Sequence, residues 1–233
     1  MKSNKHLPRT HTLIMSDLHL GSSVSKSKEA ITFIKKIKFK KLILLGDIFE
    51  NLNFKKLKKS EWEFLSLITK ISKKSKVIWV EGNHDKGLTE IFANFTGSRV
   101  CKVYEWQYKK RKYLAIHGHQ FDNFLVDNAI LSFLANQIYN FIQLIDFSDY
   151  KISRLIKRKS KGWLRLSEKV AKRATLYGKL KRVDYIFCGH THKTNQKIKK
   201  NISYYNCGCW TDTPSSYITL NKEKIEIHKY PKK

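Results

Sequence analysis

Residues 41–47 read Lys41-Leu42-Ile43-Leu44-Leu45-Gly46-Asp47: four consecutive aliphatic residues, then a glycine and an acid. A run this short and apolar, closed by glycine, predicts a strand that ends in a tight turn carrying a carboxylate. The same construction recurs along the chain. His11–Met15 leads into Ser16-Asp17-Leu18-His19, Val77–Val80 into Gly82-Asn83-His84-Asp85, Tyr113–Ile116 into His117-Gly118-His119, and Asp184–Phe187 into Gly189-His190-Thr191-His192. Alone, each cluster is weak, because Asp after a strand is commonly a turn former and a lone His is commonly a satisfied surface or core residue. Five in series read as a two-metal hydrolytic site.

Between the early strands, Lys26–Lys38 and Ser60–Ile71 place apolar residues at helical spacing (Ile31, Ile34, Ile37; Trp62, Leu65, Ile68). Alternating strands and helices predict βαβ units and an α/β fold, in which functional groups collect at the carboxyl ends of the strands. All five clusters lie there. From Asn123 to Ile145 a broad apolar face at helical spacing predicts a further helix. With the basic stretch behind it, it forms a helical insertion over about residues 121–182, a length far above ordinary connections and suited to a lid over the site. Beyond His192, Ile202–Tyr205, Tyr217–Leu220 and Lys224–His228 return to strand patterning and predict a hairpin-rich second sheet.

The chain has 233 residues, 41% of them hydrophobic, which predicts one globular domain over residues 1–233 and excludes a disordered chain. Residues 1–10 are polar and basic without an apolar core, and no stretch is long enough to span a membrane, so a cytoplasmic location is expected. Four cysteines are too few for a disulfide scaffold and are expected to be reduced. The formal charge of +28 predicts attraction to phosphate-rich partners: nucleotides, nucleic acid or an anionic membrane surface. Lysine pairs on solvated faces account for much of it. The densest block is Lys151–Arg182, where thirteen Lys or Arg face one acid, Glu168.

Two divalent cations close together need anionic oxygen ligands with neutral imidazoles and a carboxylate able to bridge them. Asp17, His19, Asp47, Asn83, His117, His190 and His192 supply that mixture. His119 is open to two readings, an added ligand or phosphate contact, or a residue that alternation turns away. Cys209 is expected to pack beneath the site, since a thiol is a poor match for hard oxygen donors.

Asp17-x-His19, Gly46-Asp47, Gly82-Asn83-His84-Asp85, His117 and Gly189-His190-x-His192 resemble the five ordered motifs of calcineurin-like metallophosphoesterases. The resemblance implies a β-sandwich flanked by helices. It implies that Asp17, His19, Asp47 and His192 hold one ion, that Asp47 bridges to a second, and that Asn83, His117 and His190 complete the second. Mn²⁺ is the expected metal, with Zn²⁺ or Fe²⁺ as alternatives. His84, paired with Asp85, would act catalytically beside the substrate phosphate.

Asp17-Leu-His-Leu-Gly21, Gly46-Asp47-Ile-Phe-Glu50, His117-Gly-His-Gln-Phe-Asp122, the long insertion and Tyr205-Asn-Cys-Gly-Cys-Trp210 further resemble the UDP-2,3-diacylglucosamine hydrolase branch. That implies cleavage of a nucleotide-linked lipid pyrophosphate by metal-activated water, with Asn83, His84, Asp122, Lys169, Arg173 and His190 contacting substrate and the protein peripheral at the inner face of the cell membrane. The chain departs from that branch in carrying His84 where well-studied members have Arg, and His119 and Cys209 where relatives often have acids. A nuclease or nucleotide phosphodiesterase is the alternative enzyme. A non-catalytic, metal-containing module that binds nucleic acid or membrane is the third reading.

Overall fold

The computed structural model describes residues 8–51, 53–87, 89–122, 161–222 and 224–231. The helix expected at Asn123–Ile145 as part of the lid, and the basic residues up to Ser160, lie outside the described residues.

Strands β1 (Arg9–Met15), β2 (Lys38–Leu45), β3 (Lys76–Val80) and β4 (Arg99–Cys101) pair in parallel. Strands β10 (Ser215–Asn221) and β11 (Lys224–Tyr230) add to β1 in antiparallel fashion, giving a six-stranded sheet of order β11-β10-β1-β2-β3-β4. A second, five-stranded sheet has the order β5-β6-β7-β9-β8. Its strands are β5 (Val103–Tyr108), β6 (Arg111–Ile116), β7 (Tyr185–Cys188), β8 (Asn195–Lys199) and β9 (Ile202–Asn206). The expected second-sheet hairpins are therefore divided. Ile202–Asn206 joins the second sheet, whereas the β10–β11 hairpin completes the first, because the fully buried Ile218 and Leu220 continue its inner face.

Strand alternation sorts side chains into layers. Ile14, Ile43, Leu45, Ile78 and Val80 face Tyr104, Tyr113, Ala115, Phe187 and Tyr205 between the sheets. Leu13, Met15, Leu42, Leu44 and Trp79 point outward onto helices α1 (Ser27–Ile34) and α2 (Lys59–Ser72) through Phe33, Phe64 and Ile68. Leu114, Ile116, Ile186 and Tyr204 cover the opposite face against Ala171 and Ala174 of α4 (Lys161–Leu180); a short α3 (Thr89–Thr96) precedes β4. The result is a sandwich with helices on both outer faces. Helix α1 stops at Ile34, short of Lys38, because Lys38 and Phe39 are already paired with Arg9 and Thr10 of β1. Among the described residues no helix is long and apolar enough to cross a membrane, and all four cysteines are free.

Candidate metal centre

The parallel strands of both sheets deliver their carboxyl ends to one end of the sandwich. The turn after β1 is zipped to the turn after β2 by Asp17 N–H to Gly46 O (3.1 Å) and His19 N–H to Asp47 O (3.0 Å). The turns after β6 and β7 meet through Gly189 N–H to His117 O (2.9 Å). Two glycines make the close approach possible. A Cβ at Gly46 would run into the His117 ring, and one at Gly189 into the Ser16 hydroxyl and the Asp17 carboxylate.

Nine non-glycine residues have positive φ among those described, and five of them are Asp17 (54°), His19 (47°), Asp47 (50°), His190 (65°) and His192 (52°). Left-handed backbone costs a residue with a side chain roughly 1–3 kcal/mol and persists where the surroundings over-determine it. Here it turns five candidate ligands inward, each in the turn that follows a strand.

Two groups of donors result. In one, His192 Nε2 lies 3.1 Å and His19 Nε2 3.9 Å from Asp17 Oδ1, with the two imidazole nitrogens 3.2 Å apart. In the other, Asp47, His117 and His190 converge, with His117 Nε2 3.2 Å from Asp47 Oδ2. The same Asp47 oxygen lies 3.9 Å from His19 Nε2, so it faces both groups. Asp17 Oδ1, His117 Nε2 and Asn83 Oδ1 are buried without a hydrogen-bond partner. Buried acceptors left without donors are costly, and hard carboxylate oxygens mixed with imidazole nitrogens are the donor set of a divalent cation. The residues therefore fit a metal.

Their orientation is fixed from behind. His19 Nδ1–H donates to Glu50 Oε2 (2.8 Å) and His117 Nδ1–H to Leu45 O (2.9 Å), which leaves each Nε2 facing inward. Ser16 Oγ–H and His190 N–H (3.1 Å) reach Asp17 Oδ2, and His84 N–H binds Asp47 Oδ1 (2.9 Å). Asn206 Nδ2–H donates to Gly189 O (2.7 Å) and steadies the last turn. Glu50, Ser16 and Asn206 carry no metal-ligand spacing, and the sequence offered only the proximity of Glu50 to Gly46-Asp47. Replacing Glu50 with Ala frees the His19 ring and is expected to weaken Mn²⁺ binding about 10–100-fold, the usual cost of losing such a partner. Calorimetric titration with Mn²⁺ checks this, and an unchanged affinity contradicts it.

Among the other expected site residues, His84 Nδ1 is paired with Glu50 O (2.6 Å), not with Asp85. The Asp85 carboxylate instead accepts Ile48 N–H (3.1 Å) and Phe49 N–H (2.9 Å) and braces the turn after β2. Burial and nearby Asp47 push Asp85 up to about 6 against those two donors. Asp122 lies with Oδ2 3.2 Å from His190 Nε2. Arg173 donates to Phe121 O (3.1 Å) beside it, and Lys169, one helical turn earlier on α4, is exposed. His119 keeps a buried Nδ1 without a hydrogen-bond partner next to His117, and burial together with His117 and His190 pushes it down to about 3. Cys209 is buried, and burial pushes its thiol up to about 12, against thiolate ligation.

Burial alone would pull the His19 and His117 rings down, but Asp17, Glu50 and Asp47 override it for His19, pushing it up to about 10. Asp47 and Asp17 do the same for His117, up to about 9. Desolvation raises both buried carboxyls, but His192, His19 and His117 hold Asp17, and His117, His84 and His19 hold Asp47, below the usual carboxylate range. A ring held above its ordinary value keeps its proton more tightly, so cation binding must displace protons and its affinity rises with pH. About two protons should be released per fully loaded site at pH 7, with affinity gaining up to about tenfold per pH unit for each proton. Calorimetry in buffers of different ionisation enthalpy measures this, and zero release contradicts it.

No protein of curated function matches the chain significantly. Among solved structures, YfcE, a phosphoesterase from E. coli, is 14% identical, with 92% of this chain and 90% of that one covered and a TM-score of 0.50. A novel archaeal phosphodiesterase is likewise 14% identical (94% and 98% covered, TM-score 0.50). So is wild-type Vps29 complexed with Zn²⁺ from Entamoeba histolytica (94% and 91%, 0.50). At this identity these likenesses speak to the fold alone. The family model for calcineurin-like phosphoesterases matches residues 10–194, a span that runs from β1 through the last histidine pair, and the chain belongs to that family.

Proposed function

We propose that this protein hydrolyses a phosphoester or pyrophosphate with two divalent ions, Mn²⁺ by preference, held by Asp17, His19, Asp47 and His192 on one side and Asp47, Asn83, His117 and His190 on the other. The observation that carries this reading is the single Asp47 oxygen that faces both donor groups. Bound there, the ions supply charge neutralisation at phosphate oxygens and an activated water as nucleophile. The chain's own residues do the rest. Asp47 is fixed by His84 N–H, so one carboxylate oxygen is engaged with backbone while the other is left to face the ions. His84, whose Nδ1–H donates to Glu50 O, presents Nε2 to the site, and in its imidazolium form that nitrogen carries a proton for the leaving oxygen. Asp122 fixes His190 through its contact with Nε2, and Arg173 stiffens the same turn through Phe121 O.

The finer reading is a nucleotide-linked lipid such as UDP-2,3-diacylglucosamine, cleaved by a cytoplasmic enzyme that is peripheral at the membrane face. Its support is the motif resemblance, with six Lys or Arg against one acid in Lys161–Leu180 to meet a pyrophosphate, and Trp163 near His192 offering apolar surface. Asn83, His84, Asp122, Lys169, Arg173 and His190 are the proposed contacts. The test is parallel assay with Mn²⁺ of UDP-2,3-diacylglucosamine, bis-p-nitrophenyl phosphate and single-stranded DNA. Cleavage of the lipid is expected; cleavage of DNA alone would replace the lipid reading with a nuclease, and no hydrolysis with any divalent ion would favour a binding module.

A further inference from the structure

At the opposite end of the sandwich, where α1 and α2 end and β2 begins, an open groove of about 620 Å³ runs between the two helices. Ile34, Ile37, Phe39, Leu67 and Ile71 form its floor, and all but Ile34 are only half-buried. Lys35 and Lys38 stand on one wall and Lys70, Lys73 and Lys74 on the other, all exposed. No acid lines the groove, and among the described residues none of the five lysines makes an ion pair. The length of β2, roughly 25 Å, separates this place from Asp47. The metal centre makes no use of it.

We propose that this groove docks an acidic amphipathic helix of another protein, its apolar stripe on the floor and its carboxylates against the two lysine walls. Half-buried apolar residues set between two rows of lysines match anchors spaced at i, i+3, i+4 and i+7. The placement of charge selects the occupant. Lysines on two facing walls suit a rod with acids along both flanks, whereas a single acyl chain with one anionic head would match charge gathered at one end. A flat anionic membrane would meet the lysines but not a floor recessed between them. The chain's own first residues have the wrong sign: Pro8, whose carbonyl accepts Lys38 N–H (2.9 Å), brings the chain to the groove edge, but residues 1–7 carry Lys2 and Lys5 and no acid.

The probe is a fluorescent 15-residue helical peptide with Leu on one stripe and Glu on both flanks, titrated against the whole protein at physiological salt. Lys70→Glu, Lys73→Glu and Lys74→Glu together should weaken binding about tenfold or more. The same change of net charge at Lys179, Lys199 and Lys200, which are exposed on α4 and at the end of β8, across the sandwich from the groove, should change it less than about twofold because salt screens it. Leu67→Ser should weaken binding with no change of charge, and thermal melting of each variant confirms folding. Equal losses in the two triple variants, or undiminished binding of a peptide with Ser in place of Leu, would show attraction to net charge alone and overturn the proposal. Groove-dependent binding to phosphatidylglycerol vesicles without peptide binding would also overturn it, in favour of a membrane surface.

Discussion

Asp47→Asn is expected to abolish metal-dependent turnover, on the order of a thousandfold or more in kcat, in a protein that still folds. The substitution keeps the size of the side chain, and its amide oxygen can still accept the His84 N–H that now binds Asp47 Oδ1 at 2.9 Å. What disappears is the anionic Oδ2, which lies 3.2 Å from His117 Nε2 and 3.9 Å from His19 Nε2. That oxygen is the proposed link between the ions, and an amide nitrogen in its place donates where a lone pair is needed. A loss of roughly 4 kcal/mol in transition-state stabilisation corresponds to that thousandfold, within the several kcal/mol metal ions contribute. Asp47→Ala should go further and lose bound metal outright, since the backbone brace at His84 is lost with the side chain. Elemental analysis should find less than the native complement in Asp47→Asn and almost none in Asp47→Ala. Turnover of Asp47→Asn within tenfold of native would sink the bridging role.

How far such assignments were legible beforehand depends on whether partners lie close in sequence. Each strand and the cluster that follows it are contiguous, so Leu42–Leu45 and Gly46-Asp47 announce one another, and β1, β2, β3, β6 and β7 lie where their apolar runs predict. Partnership across the chain is different. The β10–β11 hairpin reads as a strand pair, but its neighbour β1 lies some two hundred residues away, and alternation does not encode which edge a hairpin joins. The same holds at the site. His19 is oriented by Glu50 and the Gly189 turn by Asn206, contacts between residues 31 and 17 positions apart that no local spacing reveals. Asp85 shows the reverse error. Adjacency to His84 suggested a pair, yet neighbouring side chains in a turn diverge, and Asp85 reaches inward to Ile48 and Phe49 while His84 turns to Glu50.

The left-handed turns explain why the ligand clusters look as they do. Asp17, His19, Asp47, His190 and His192 all occupy backbone that glycine would adopt at no steric cost, so the fold gives up several kcal/mol to keep side chains there. The zipped turns, the buried strands behind them and the glycines at 46 and 189 hold that conformation before any ligand arrives. A preorganised donor set of this kind binds a cation without having to order it first.

His84→Ala tests the division of labour within the site. Metal content should stay near native, because both donor groups at Asp17 and Asp47 are assembled without the His84 side chain, and its backbone N–H to Asp47 Oδ1 survives the substitution. Turnover should fall about 10²–10⁴-fold, the usual range for removing a general acid. The loss should depend on the leaving group. Departing p-nitrophenolate needs little protonation, so bis-p-nitrophenyl phosphate should show the smaller deficit, and an ester with an alkyl alcohol as leaving group the larger. A ring that merely stabilised charge on the phosphate would slow both substrates alike. One that acted as a ligand, through the grouping it forms with His19 and Glu50, would cost bound metal, and that outcome would remove His84 from the proton-transfer role and place it among the metal-binding residues.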